Sequence, residues 1–341
     1  MRVIEIPSQE QAADMLRTAS ECSEFLMGVP VEEPMGAPVD GPADIDWNGV
    51  FHRAQQMLNK GGSGKQTGTI VLNDFYPLKR TLLLDSHIEL VGAWRAKHHI
   101  GSSCGFVAAD GFDGQWMLEW KQPNPGARYS NFGAGMRQIH VECSAGVSGA
   151  MFRGAQQSAG VENVVIRGFG ADQIGLMLGG DTYSVRDVFI DSTVGGEGSG
   201  VRPGATAIKA SERMQGIVFQ NVTSHNCETG MELMDPVEID ICSFETELTE
   251  NPVVLKHNAS GVKIRNAQFR HTEQILHVEK ARWPADFLVL CEGRMVGKES
   301  RGEVVLPGSV FATAGKTFDL AVQGDRKGIK VVDLKAMRQK A

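Results

Sequence analysis

Five acidic side chains near turn residues in the middle of the sequence, Asp187, Asp191, Glu197, Glu232 and Asp240, are of the type that glycan cleavage uses. That chemistry gathers two or three carboxyl groups on one face or in one cleft, one giving a proton and another acting as base or nucleophile. Glu197 and Arg202 share a Gly-rich stretch, Thr193 to Gly204, and with Trp116 and Trp120 they form a candidate ligand-binding set in which indole faces would stack on sugar rings. Each has an ordinary structural use as well: acids solvate turns, and tryptophans pack cores and caps. No Lys/Arg pattern of a lyase accompanies the carboxylates, so the sequence assigns no catalytic residue outright.

Other chemistries are excluded more firmly. Gly61-Gly-Ser-Gly-Lys65 is not a phosphate loop, because Asn59 stands where its first glycine belongs and Gln66 follows the lysine. The nine histidines form no His-x-His or His-Glu-x-x-His pattern, and the six cysteines, Cys22, Cys104, Cys143, Cys227, Cys242 and Cys291, show no metal spacing. No metal or other cofactor is expected, and the cysteines read as reduced thiols.

The elements that must position these residues recur. Ile139/Val141, Val164/Ile166, Val188/Ile190, Ile217/Phe219, Ile239/Ile241 and Val262/Ile264 each read apolar, any, apolar, at steps of 25, 24, 29, 22 and 23 residues. A second series, Phe152, Leu178, Ile208, Leu233, Leu255 and Val278, runs in phase with it. Side chains of a strand alternate between faces, so the outer members of each triplet point inward. Two strand series per repeat leave no room for a helix. They describe coils that stack strand upon strand, an all-β solenoid: a parallel β-helix.

Outward positions read on the same alignment form two ladders. Glu142, Arg167, Asp191, Gln220, Cys242 and Arg265 begin with alternating charge, as in surface pairing between adjacent strands. His140, Val165, Phe189, Val218, Asp240 and Lys263 place three apolar side chains in succession where water is expected. Such a stripe is covered, either by the N-terminal helix or arm of the same chain or by other copies. Val165, Phe189 and Val218 are therefore the expected subunit interface of a homotrimer. The Thr193–Gly204 insertion lengthens its coil and projects from one face.

The ends differ from the rod. Ser8-Gln-Glu-Gln11 is a capping-box pattern opening a short helix through Leu26, and residues 28–44 carry four prolines and read as an extended arm. Asp46 leads a second helix with Trp47, Val50, Phe51, Ala54, Met57 and Leu58 on its apolar stripe, which needs the end of the rod to cover. After Trp283-Pro284 short strands at hairpin distances predict a small C-terminal β segment, and Lys335–Ala341 a solvated basic tail. The expected units are residues 1–45, helix and arm; 46–282, capping helix and β-helix; and 283–341, β segment and tail.

The run from Asp46 to Gly62, with Gly68-Thr-Ile-Val-Leu72 and Ser86-His-Ile-Glu-Leu-Val-Gly-Ala93, resembles the opening of the pectate-lyase-like right-handed β-helix superfamily. The resemblance spans roughly residues 45–280 and rests on structural positions. It implies the fold, and a place among polysaccharide lyases and hydrolases or bacteriophage tailspikes.

The net charge of −7 and the lack of a basic stripe exclude general nucleic-acid binding, and no apolar run suggests membrane insertion. Met1–Pro7 has no apolar signal core. With the arm, the apolar stripe and the resemblance, this leads to the expectation of a bacteriophage virion protein, a short tailspike-like or capsid-decorating component assembled in the host cytoplasm. Its expected partners are two further copies, other virion proteins held through the arm, and a host cell-surface polysaccharide. The alternatives are a polysaccharide lyase or glycosidase of the same superfamily, with its site beside the 193–204 loop, and an adhesin that binds glycans without cutting them.

Overall fold

The computed structural model describes residues 2–12, 45–59, 68–93, 104–121, 131–156, 159–195, 197–257, 259–279, 287–297, 302–313, 315–325 and 328–338. The Pro-rich arm and the Gly61–Lys65 run lie outside them.

The chain is an all-β parallel β-helix whose coils have three strips. Each coil enters strip A, turns one corner into strip B, and returns through strip C. In the regular coils one strand spans A and B: β10 (Gly160–Arg167), β12 (Ser184–Asp191), β14 (Val218–His225), β17 (Asp240–Glu247) and β19 (Val262–Arg270), each parallel to the next. Strip C runs through β9 (Ser148–Gln156), β11 (Ile174–Asp181), β13 (Arg202–Gln215), β15 (Cys227–Met234), β18 (Asn251–Lys256) and β20 (Gln274–Val278).

The corner between A and B is a column of left-handed residues, Gln138, Asn163, Asp187, Asn221, Ser243 and Asn266, all with φ between 52° and 58°. Short polar side chains tolerate this conformation best because they bond locally. Here they also bond to one another: Asn221 Nδ2 donates to Asp187 Oδ1 at 2.6 Å and Asn266 Nδ2 to Ser243 Oγ at 3.0 Å.

Inward columns are close-packed. Val161, Val185, Phe219, Ile241 and Ile264 lie in register on strip A, and Val164, Val188, Val222 and Phe244 on strip B. This register corrects the sequence alignment. Val188 is followed by Val222, a step of 34 residues rather than 29, and Ile217 and Phe219 belong to strip A. The next inward strip-B residues are Ser224 and Thr246, both fully buried, and these hydroxyls concealed the apolar pattern. Ile208 likewise pairs with Leu176, two residues ahead of the Leu178 position assigned to its series.

Helix α1 (Trp47–Asn59) closes the N-terminal end. The strand beneath it, β3 (Phe75–Leu84), pairs with β5 (Gly105–Trp120) along one edge, and buried amides of α1 serve backbone groups of the other. Asn48 Nδ2 donates to Arg80 O at 2.8 Å and Gln55 Nε2 to Leu83 O at 3.0 Å, while Gln55 Oε1 accepts Asp85 N at 2.7 Å. A bare edge would template aggregation, and the amides blunt it. Trp47 and Phe51 pack edge-on against Tyr76 at 4.7 and 5.3 Å. Met57, expected on this stripe, is half exposed. Before α1, β1 (Arg2–Ile6) pairs in parallel with β2 (Gly68–Leu72). Ser8 and Gln11 form the expected capping box, with Gln11 N donating to Ser8 Oγ at 3.1 Å and Ser8 N to Gln11 Oε1 at 2.8 Å.

At the far end β21 (Phe287–Val296) adds one more parallel strand to β19 and then pairs antiparallel with β24 (Thr317–Asp325). β22 (Glu303–Leu306) continues strip C and forms a hairpin with β23 (Ser309–Ala312). β25 (Gly328–Asp333) follows β24, and residues 334–338 form a short, exposed helix, α2, so the solvated segment is helical. Arg338 reaches Asp319 at 3.0 Å and Lys335 donates to Thr317 Oγ1 at 2.5 Å, which docks it on β24.

Candidate functional site

Strip B carries a charged outward column, Glu142, Arg167, Asp191, His225, Glu247 and Arg270, one residue per coil. Its first three members are those expected; the last three replace Gln220, Cys242 and Arg265, which the 34-residue step puts on strip A beside Arg186. Parallel pairing spaces the column at about 4.8 Å per coil. Neighbours in and beside it are in contact: His140 Nε2 lies 2.8 Å from Glu142 Oε2, His225 Nε2 3.9 Å from Glu247 Oε2, and Arg270 Nε 2.8 Å from Glu245 Oε1.

The next outward column reads His140, Val165, Phe189 and Thr223. Val165 and Phe189 point outward yet are 2% and 3% exposed. The cover over Phe189 comes from the charged column itself: the Arg167 guanidinium sits 5.1 Å from its ring centroid and the His225 ring 4.9 Å from it, edge-on. Val218, the third member of the expected stripe, stands apart on strip A between Ser184 and Asp240, 37% exposed. The three residues therefore form no continuous apolar stripe.

The 193–204 loop rises beside Asp191 and is tied down by the next coil. Asn226, in the left-handed conformation at φ 59°, donates from Nδ2 to Asp191 Oδ1 at 2.9 Å and accepts Gly200 N on Oδ1 at 2.8 Å. Asp191 Oδ1 also accepts Thr193 N at 2.9 Å, and Glu228 Oε2 accepts Gly204 N at 2.8 Å. Within the loop Arg202 pairs with Glu197 at 3.0 Å and donates to Gly198 O at 2.7 Å.

The five carboxylates singled out in the sequence do not converge as a set. Asp187 is a member of the corner column. Glu232 lies on strip C, largely buried between Lys209 at 3.1 Å and Lys256 at 3.0 Å. Asp240, on strip A, holds Arg265 at 3.1 and 2.5 Å. Only Asp191 and Glu197 border the same loop, and each already has partners there. Trp116 and Trp120 are 5% and 2% exposed, and Trp120 Nε1 donates to Ile88 O at 2.9 Å, so neither offers a ring face to a sugar.

Residues the sequence reading missed are Asn226 and Glu247, while His225 was set aside with the other histidines; all come from coils after the insertion. Burial holds the His225 imidazole below its ordinary value against the pull of Asp191, Glu247 and Glu245. Burial also raises the thiols: Cys227 is pushed up to about 12, and Cys143 and Cys291 higher. These cysteines are inert interior groups rather than nucleophiles.

No known family model and no curated protein matches the sequence. Among solved structures the chain is similar to the A-module of the Azotobacter vinelandii mannuronan C-5 epimerase AlgE4, with 12% identity, 70% of this chain and 73% of that one covered, and a TM-score of 0.37. It is also similar to ORF18 of Geobacillus virus E2 (9% identity, 85% and 74% covered, TM-score 0.32) and to the gp42 tailspike of Acinetobacter phage vb_AbaP_AS12 (11%, 82% and 63%, TM-score 0.33). Likenesses this remote carry no residue-level correspondence.

Proposed function

We propose that this chain is a β-helical component of a bacteriophage particle, with a structural and attachment role, and that strip B with its loop binds a host-surface polysaccharide without cutting it. The observation that carries the binding role is the charged column Glu142–Arg167–Asp191–His225–Glu247–Arg270. A rigid row of ionic and hydrogen-bonding groups repeating along the rod suits a linear polymer laid parallel to it. The 193–204 loop, held at Gly200 and Gly204 by the following coil, forms a fixed wall beside that row. Placement on a particle is supported by the family-like opening at Asp46–Gly62 and by the end cap of α1.

A polysaccharide lyase or glycosidase is the second reading, favoured by the one place where two of the candidate carboxylates, Asp191 and Glu197, border a single loop. One experiment separates the two. The protein is incubated with a panel of bacterial surface polysaccharides, retention and released oligosaccharide are both measured, and the Asp191→Asn and Glu197→Gln variants are run beside it. Binding without release supports attachment, release that either substitution abolishes establishes the enzyme, and absence of both overturns the glycan role.

A homotrimer remains part of the proposal, with exposed Val218 its surviving support. Light scattering at about three times the chain mass of 36.9 kDa would support it, and 36.9 kDa would overturn it.

A further inference from the structure

The corner column ends in a cleft. From Gln138 to Ser243 each left-handed corner residue is overlaid by the corner of the next coil, but above Asn266 β21 runs straight through this position. The mismatch is a bulge: Ile264 pairs with Cys291 and Ala267 with Gly293, so Arg265 and Asn266 together face the single residue Glu292. Strand β24 and helix α2 lie beside the gap and border an open, solvent-facing depression of about 470 Å3.

The lining carries both signs of charge. Glu292 and Asp319 are directly opposed on antiparallel β21 and β24, a like-charge pairing that disfavours the fold unless cations accompany it. Asp319 is served by Arg338 at 3.0 Å. Glu292 is exposed and, among the described residues, makes no hydrogen bond or ion pair. Arg294 and Lys335 border the same space; each spends one donor on a neighbour, Arg294 on Gln268 and Lys335 on Thr317, and keeps others.

We propose that this cleft binds a compact zwitterion, an ammonium and a carboxylate held a few atoms apart, with Glu292 taking the ammonium and Arg294 and Lys335 the carboxylate. Asn266 stands at its floor as a hydrogen-bonding group. Both signs of charge border the same depression, with Glu292 and Arg294 side by side on one face of β21, so a molecule bearing only one of the two groups leaves part of the lining unanswered. The site lies at the end of the rod and does not depend on the reading of strip B.

The test is calorimetric titration of the full chain with 2-amino-2-deoxyglucuronate, with glucosamine and glucuronate as singly charged analogues and β-alanine as a zwitterion lacking the sugar ring. The amino-uronate is expected to bind, with each singly charged analogue weaker by about tenfold or more. Glu292→Gln is expected to lower amino-uronate affinity by about tenfold without lowering the thermal unfolding temperature, since it relieves the repulsion from Asp319. Equal binding of β-alanine identifies the charge pair as sufficient, and its failure identifies the sugar ring as required; both support the site. No binding of either zwitterion, equal affinity for all four probes, or full binding by Glu292→Gln overturns it.

Discussion

Asn226 donates to Asp191 across 35 residues of sequence, at 2.9 Å between Nδ2 and Oδ1. Its left-handed backbone aims the amide at that carboxylate, and the same side chain accepts the Gly200 amide. One residue thus fixes both the charged column and the loop beside it.

Replacing Asn226 separates these contributions. Asn226→Gly keeps the backbone conformation and loses the side-chain bonds, a cost of about 1 to 2 kcal/mol. Asn226→Ala adds the left-handed penalty of about 1 to 2 kcal/mol for a residue with a Cβ. Urea midpoints should therefore fall in the order wild type, Gly, Ala; equal midpoints for Gly and Ala would show that the backbone conformation is not held.

Asp187 is predicted to act through its carbonyl-like acceptor and not its charge. Asp187→Asn should change stability by no more than about 0.5 kcal/mol and leave glycan binding intact. Asp187→Ala should cost about 1 to 2 kcal/mol, since it loses the bond from Asn221 and strains the corner. Loss of function in Asp187→Asn with stability preserved would return this carboxylate to the catalytic candidates.

The His225 imidazole is held below its ordinary value of 6.5 by burial, an effect Arg270 reinforces and Asp191, Glu247 and Glu245 oppose. Well above pH 6.5 it is neutral in both folded and unfolded chains and adds no pH dependence. As pH falls through 6.5 the unfolded chain takes up the proton first, so stability drops until the folded-state value is passed. Denaturant titrations on either side of that pH should show a steeper acid loss in wild type than in His225→Gln. Identical slopes would place the ring in water.

Thr246 tests the register. It points inward, fully buried, and its hydroxyl meets no partner among the described residues. Thr246→Val keeps the shape and removes that hydroxyl, so a gain of about 1 kcal/mol is expected in chemical denaturation. A register slipped by one residue would expose this position, and the substitution would then be neutral or unfavourable.

Much of the fold was legible because it is local. Val161, Val164 and Ile166, or Val185, Val188 and Ile190, announce buried strand faces within eight residues, and Trp47, Phe51 and Ala54 announce a helix with a face to cover. Where an inward residue was Ser224 or Thr246, the pattern broke and the alignment moved to the strip-A triplets. That displacement joined Val218 to Phe189 and produced an apolar stripe that the rod lacks. The site was less legible still, since Asp191, His225, Asn226 and Glu247 come from consecutive coils and share no local motif.

What this sequence determined by itself is the kind of object: alternation has a period of two residues whatever lies elsewhere in the chain, so inward columns and a stacked solenoid followed from repeats alone. What only the tertiary structure decided is which residues of different coils are neighbours. That depends on how the chain absorbs the 193–204 insertion, since pairing between coils is set by backbone hydrogen bonds over the whole strand and not by any one side chain. The same register hides Phe189 beneath Arg167 and His225 and brings Asn226 to Asp191.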